Sequence, residues 1–286
     1  MVECTKQIVL AFYKAYVDKR TGLAFLSAML MLFSTASYAE RIIGGCPASA
    51  PPIRTDFQMP RGEKLEYDIS FFGLKTGQAK FTTSDTPAKF WVKAKGRLRL
   101  NSFFHWIDDV DGRMVSYLRP LDGRPGRMFN QVTSGKDNEL RESAVFSGKN
   151  DVKGTLLYKG RKKPAKLQGT SDVLDSLSVL YYLRSRKLVP GAPFCFEVYH
   201  RRRLWRIEGQ MLKKTPFTKG PVRGEALLVE ATFRRLGGGK SGAKPNVVRT
   251  WLSADRQQLP LRLTSALGFG DLEVDLKRYR ISKASK

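Results

Sequence analysis

Hydrolytic and metal-dependent chemistry needs convergent histidine, cysteine and carboxylate side chains, and this sequence supplies few of them. It has only two histidines. His105 lies in Phe103-Phe104-His105-Trp106 and reads as part of a packed aromatic segment, whereas His200 borders Arg201-Arg202-Arg203 and reads as a solvated surface residue. Asp108, Asp109 and Asp111 before Gly112 hint at calcium but lack the spaced oxygen set of a binding loop, so a tight acidic turn is expected there. Gly237-Gly238-Gly239-Lys240-Ser241 lacks the spacing of a phosphate-cradling loop and reads as a flexible linker. No serine nucleophile elbow is present. The expectation is a chain with no catalytic residues, no metal site and no cofactor. A hydrolase of unknown type is the minor alternative.

The remaining candidates are charges. Lys93, Lys95, Arg97 and Arg99 alternate with apolar residues, and a period of two puts all four on one exposed sheet face. A second cluster, Arg201, Arg202, Arg203 and Arg206, holds Trp205 among its cations, the mixture that single-strand nucleic-acid binders use. Both are candidates for docking on an anionic surface, and a plain solvated strand end is the competing reading of the second. Asp172, Asp175, Tyr182 and Arg184 form a third constellation. They are candidates for lining the mouth of a cavity, but the favoured reading is structural: they cap a helix and tie it to a sheet edge.

That helix is expected over residues 171–187. Leu174, Leu177 and Tyr181, with Val173, Leu180 and Arg184 on an adjoining row, make one broad apolar face, and Pro190-Gly191 stops it. Nearly everything else reads as strand. Leu65, Tyr67, Ile69 and Phe71 alternate with Lys64, Glu66, Asp68 and Ser70, and about a dozen such runs follow at close spacing. Strands do not alternate with helices, so a doubly wound parallel sheet is not expected. The fold class is mainly β: a large curved antiparallel sheet or barrel-like fold with one helix packed on its concave face.

Composition sets the compartment and the kind of partner. Lys and Arg number 51 against 26 Asp and Glu, a net charge of +25, which favours polyanions. The basic flank up to Arg20, the apolar run Gly22 to Phe33 and the small-residue end at Ala39 make a secretory signal over residues 1–39. Its removal takes four basic and two acidic groups and leaves 47 against 24, or +23. A Pro-rich linker over 40–60 and a single β-rich domain over 61–286 complete the organisation. Ile43-Gly44-Gly45-Cys46 also has the form of a lipoprotein cleavage site, but Glu40 and Arg41 interrupt the apolar approach, so periplasmic or secreted protein is favoured over a lipid anchor at Cys46. A disulfide between Cys46 and Cys195 is permitted by export but not expected, since Cys195 sits in an apolar strand where a buried free thiol is common.

Four runs together resemble an exported bacterial family, domain of unknown function 3108. They are Gly62-Glu63-Lys64-Leu65-Glu66-Tyr67-Asp68-Ile69, Asp172-Val173-Leu174-Asp175-Ser176-Leu177 into Tyr181-Tyr182-Leu183-Arg184, Leu188-Val189-Pro190-Gly191, and Thr250-Trp251-Leu252-Ser253-Ala254-Asp255 into Leu259-Pro260-Leu261-Arg262-Leu263. The resemblance covers roughly 60–280 and implies an envelope location and a β-rich fold, with no activity to carry over. The basic content and the insertion at Gly237 to Lys244 depart from the family pattern. The functional expectation is a non-enzymatic envelope protein that binds an apolar or amphiphilic ligand or assists envelope assembly. The alternative is a basic protein docking on anionic polysaccharide or lipid headgroups; nucleic acid is not an expected partner of an exported chain.

Overall fold

The structure is a computed structural model that describes residues 46, 50–87, 90–101, 109–134, 138–236, 246–267 and 270–282. The signal run, His105, Asp108 and the Gly237 to Lys244 loop lie outside the described residues. The alternation that marks half-buried strands continues through β1 (Glu63–Phe71), β2 (Leu74–Asp85), β3 (Val92–Leu100), β4 (Val110–Leu118), β5 (Pro125–Ser134), β6 (Asn138–Ser147), β7 (Asp151–Tyr158) and β8 (Arg161–Gln168). A short β9 (Val173–Asp175) and a helix α1 (Ser178–Arg184) follow. The chain then returns through β10 (Pro193–His200), β11 (Arg203–Phe217), β12 (Gly224–Arg235), β13 (Asn246–Ser253), β14 (Pro260–Leu267) and β15 (Gly270–Ile281).

All fifteen strands belong to one sheet, in the order β8-β7-β6-β5-β4-β3-β2-β1-β15-β14-β13-β12-β11-β10-β9. Neighbours are antiparallel except β9, which pairs parallel with β10. The two edge strands are consecutive in sequence, so the connection over 169–172 must bring opposite edges of the sheet together. It does so by hydrogen bonds from Gly169 N–H to Asn150 O at 2.8 Å and from Val173 N–H to Lys149 O at 2.9 Å. Met128, Ala144 and Val152 from one arm pack with Val173, Tyr199 and Leu204 from the other, which closes the curl with apolar surface.

α1 lies inside this curl. Tyr181 packs with Val92, Ala94 and Leu118 of β3 and β4, while its neighbour Tyr182 packs with Phe194, Phe196 and Ile207 of β10 and β11. The β4–β5 turn sits against the helix backbone: Gly123 has φ +69°, and a Cβ there would come within 2.9 Å of Tyr181 C and Tyr182 N. Only glycine permits both the approach and the backbone angle.

Three expectations need correction. The helix does not span 171–187; its first turn is replaced by β9, because Val173–Asp175 pairs with Glu197–Tyr199 and the Asp175 carboxylate closes the following turn. Cys46 and Cys195 are joined in a disulfide with Cα atoms 5.6 Å apart. Residues 51–54 place the preceding chain beside the core, through Lys187 N–H to Pro52 O, Arg54 N–H to Ser185 O and a bridge between Ile53 and Arg186. His200, finally, is buried at 8% exposure rather than solvated.

Candidate functional site

The cationic row stands where alternation puts it. Along β3, Val92, Ala94, Leu98 and Leu100 are buried, and Lys93, Lys95, Arg97 and Arg99 project from the opposite, outer face. Arg97 makes a forked pair with Asp111 on β4, with bonds of 3.2 and 2.6 Å, and its guanidinium holds the Asp111 carboxyl below the usual carboxylate range. Asp111 is also 3.6 Å from Arg113 and 3.9 Å from Arg99, so one carboxylate faces three guanidiniums. Lys93 lies over the Tyr117 ring at 5.7 Å from its centroid. Apart from Asp111, β3 is flanked on this face by neutral or basic side chains: Ser84, Thr82, Lys80 and Gln78 on β2, and Tyr117, Val115 and Arg113 on β4.

The structure divides the second cluster. Arg201 and Arg202 form the β10–β11 turn with φ of 48° and 63°, both left-handed. Their N–H groups donate to Glu142 Oε2 and Oε1 at 3.2 and 3.1 Å, and Arg202 Nε donates to Pro164 O at 3.2 Å. Burial lowers the Arg201 pKa and raises that of Glu142. This turn is a clasp between the two arms of the sheet. Of the cluster, only Arg203 is exposed, while Trp205 is half-buried and Arg206 is buried beside Glu197.

The third constellation separates into distinct contacts at α1. Asp172 accepts from Tyr182 Oη at 2.7 Å and pairs with Arg124; the Arg186 guanidinium stacks 4.0 Å from the Tyr182 ring centroid. Asp175 does not join them. Its Oδ1 accepts from Leu177 N–H and Ser178 N–H at 2.8 and 2.7 Å, its Oδ2 accepts from Ser116 Oγ at 2.5 Å, and burial outweighs these donors to raise its pKa. Arg184 turns the other way, donating from Nη1 and Nη2 to Glu63 at 2.8 and 2.7 Å and from Nε to Gln257 O at 3.1 Å. Asp175 therefore closes the turn that leads into α1, and Arg184 ties the helix to β1, a central strand of the sheet and not an edge.

Glu63, Arg124, Arg186, Ser116, Glu142 and the Glu197–Arg206 pair are the polar residues that sequence reasoning missed. A signal for Glu63 is present: it is in phase with Leu65, Tyr67, Ile69 and Phe71, hence inward. Arg124 and Arg186 carry none, since their meeting at Asp172 depends on the β4–β5 turn docking against α1. No group of three or more His, Cys, Asp and Glu among the described residues is arranged to hold a metal ion.

A family profile described as "Protein of unknown function (DUF3108)" matches residues 66–277. No curated protein matches the chain. Among solved structures, a beta-barrel-like protein of domain of unknown function DUF1849 from Brucella abortus is similar, with a TM-score of 0.55 and 11% identity over 79% of this chain and 100% of that one. A protein with a YmcC-like fold from Bacteroides fragilis aligns with a TM-score of 0.35 and 9% identity over 78% of this chain and 99% of its own. At such identities the first likeness concerns the fold alone, and it agrees with the curled, mainly β architecture.

Proposed function

The chain belongs to the DUF3108 family, a family of unknown function, and we propose that it is an exported, non-enzymatic envelope protein that docks on anionic envelope components. The observation that carries this reading is the outer face of β3, where Lys93, Lys95, Arg97 and Arg99 stand in one row against a single opposing carboxylate, Asp111. In a chain of net charge +25 such a face concentrates polyanions and speeds their association.

Two features support a location outside the cytoplasm: the signal-like residues 1–39 and the Cys46–Cys195 disulfide, since such bonds persist in oxidising compartments. The disulfide also occupies the sulfur that a lipid anchor at Cys46 would need, which favours a periplasmic or secreted protein. An amphiphile in the concave face has less behind it, because Tyr181 and Tyr182 of α1 fill that face and are fully buried.

The test is co-sedimentation of the purified protein with isolated cell-envelope material at rising salt. The protein should pellet at low salt and be released as salt rises, and the Lys93→Gln/Lys95→Gln/Arg97→Gln/Arg99→Gln variant should stay in the supernatant throughout. Equal pelleting of the two proteins would remove the reading.

A further inference from the structure

Strand register shows that the cationic row on β3 is one part of a larger pattern. On the outer face, Lys95 is in line with Val115 on β4, Phe129 on β5, Ser143 on β6, Thr155 on β7 and Pro164 on β8. This central line carries one cation, Lys95, and ends in neutral side chains, among which Phe129 is 47% exposed. On one side of it runs a line holding Lys93, Arg127, Lys153 and Lys166. On the other side runs a line holding Lys80, Arg97, Arg113, Arg141 and Lys162.

From β2 to β8 these three lines hold ten basic residues and no carboxylate. The bordering acids are Glu66 on β1, opposite Lys80; Asp111 and Glu139 one line further out on one side, paired with Arg97 and with Arg141 at 2.6 and 3.0 Å; and Asp151 one line further out on the other. Counting both flanking lines from β2 to β8, with Arg99, Asp111, Glu139 and Asp151, still leaves a charge of +8. The pattern stops at β1, where Glu66 and Asp68 occupy the outer face and pair with Lys64, Lys75, Lys277 and Arg278. Across β2–β8 the outer-face cations thus outnumber the acids, whereas at β1 acids take their place and are paired.

We infer that the outer face of β2–β8 is a track for a linear anionic polysaccharide, which crosses the strands along the neutral line between two rails of cations. The inference rests on the docking reading above and names its partner. With strands about 4.8 Å apart, seven of them give a track of about 29 Å, and with two residues along a strand spanning about 6.8 Å the rails lie about 14 Å apart. Carboxylate or sulfate groups on alternate sides of a sugar chain meet such rails, with arginine forks suited to planar oxyanions. Phe129 and Val115 offer an apolar surface to a ring face, and Ser143 and Thr155 offer hydroxyls to its edge. The buried residues of β2–β8 all lie on the opposite side, so the track is on the convex surface. A flat bilayer touches a convex surface along a single line, whereas a flexible chain follows the curve across the strands.

The experiment titrates the purified full chain with oligouronates of increasing length and, separately, with phosphatidylglycerol vesicles. Affinity for oligouronate should rise with length until about 29 Å is spanned and then level off. The Arg127→Gln/Lys153→Gln/Lys166→Gln variant, which leaves β3 intact, should bind at least tenfold more weakly. A control losing the same charge elsewhere, Lys213→Gln/Lys214→Gln/Lys219→Gln, should bind as the wild type does. All six positions are exposed, so folding is expected to survive in both. Vesicle binding without oligouronate binding overturns the track and leaves the docking reading standing; binding to neither probe ends both. An equal loss in the control overturns the track by showing that only the overall charge acts.

Discussion

Replacing Arg184 by Met should destabilise the fold by about 3–5 kcal/mol, the range for removing one member of a fully buried ion pair. The structure supplies the terms. Arg184 and Glu63 are 3% and 0% exposed, joined by two bonds of 2.7 and 2.8 Å, with a third from Nε to Gln257 O at 3.1 Å. Met restores the aliphatic packing but leaves the Glu63 carboxylate without its counter-ion in an apolar setting. Urea unfolding of Arg184→Met followed by tryptophan fluorescence should show this deficit as a lowered midpoint. The corresponding drop in Tm is about 6–20 °C for a domain of this size. The double variant Glu63→Leu/Arg184→Met, with no charge left to bury, should recover most of the loss. A single variant within about 1 kcal/mol of wild type would refute the reasoning, because it would mean the pair is solvated or dispensable. So would a double variant at least as unstable as Arg184→Met.

Reduction of Cys46–Cys195, or Cys195→Ser, should lower the urea midpoint; with a sequence separation of 149, chain entropy sets the loss at about 5 kcal/mol. A midpoint unchanged by reductant would count against the bond. Burial lowers the His200 pKa from 6.5 to about 3, with Arg201 adding to the effect. Below 6.5 the unfolded chain takes up a proton that the folded chain refuses, so stability falls as pH drops through this window by about 1.4 kcal/mol per pH unit. His200→Phe should remove that component of acid sensitivity, and parallel unfolding profiles for variant and wild type would exclude it. Asp175 and Glu142, whose pKa values burial raises, act with the opposite sign and are common to both proteins.

The parts of this molecule that can be read without coordinates are those set by local periodicity. β1 and β3 alternate so regularly that their inward and outward faces follow from residue order, and the placement of Lys93, Lys95, Arg97 and Arg99 follows with them. The same method overextended the helix because Val173–Asp175 is buried throughout, and a fully buried strand has the same apolar run as a buried helical turn. What separates the two is pairing with Glu197–Tyr199, more than twenty residues away in sequence. His200 looked solvated beside three arginines, yet the Arg201-Arg202 turn is drawn inward by Glu142, a contact between opposite arms of the curl. The Asp172 cluster was half legible: Tyr182 is near in sequence, but Arg124 arrives only through the β4–β5 turn. The two rails were least visible, since a line crossing seven strands exists only once every register is known.

The most direct test of docking through the outer face is the salt dependence of oligouronate affinity, measured by fluorescence anisotropy from about 50 to about 200 mM salt. A track of cations predicts that log Kd rises linearly with log salt concentration, each contact contributing a slope of roughly 0.7 if the ligand behaves like other flexible polyanions. Converting Lys93, Lys95, Arg97 and Arg99 to Gln should lower that slope by roughly 3. A wild-type slope near zero, or one that the four substitutions leave unchanged, would contradict the account.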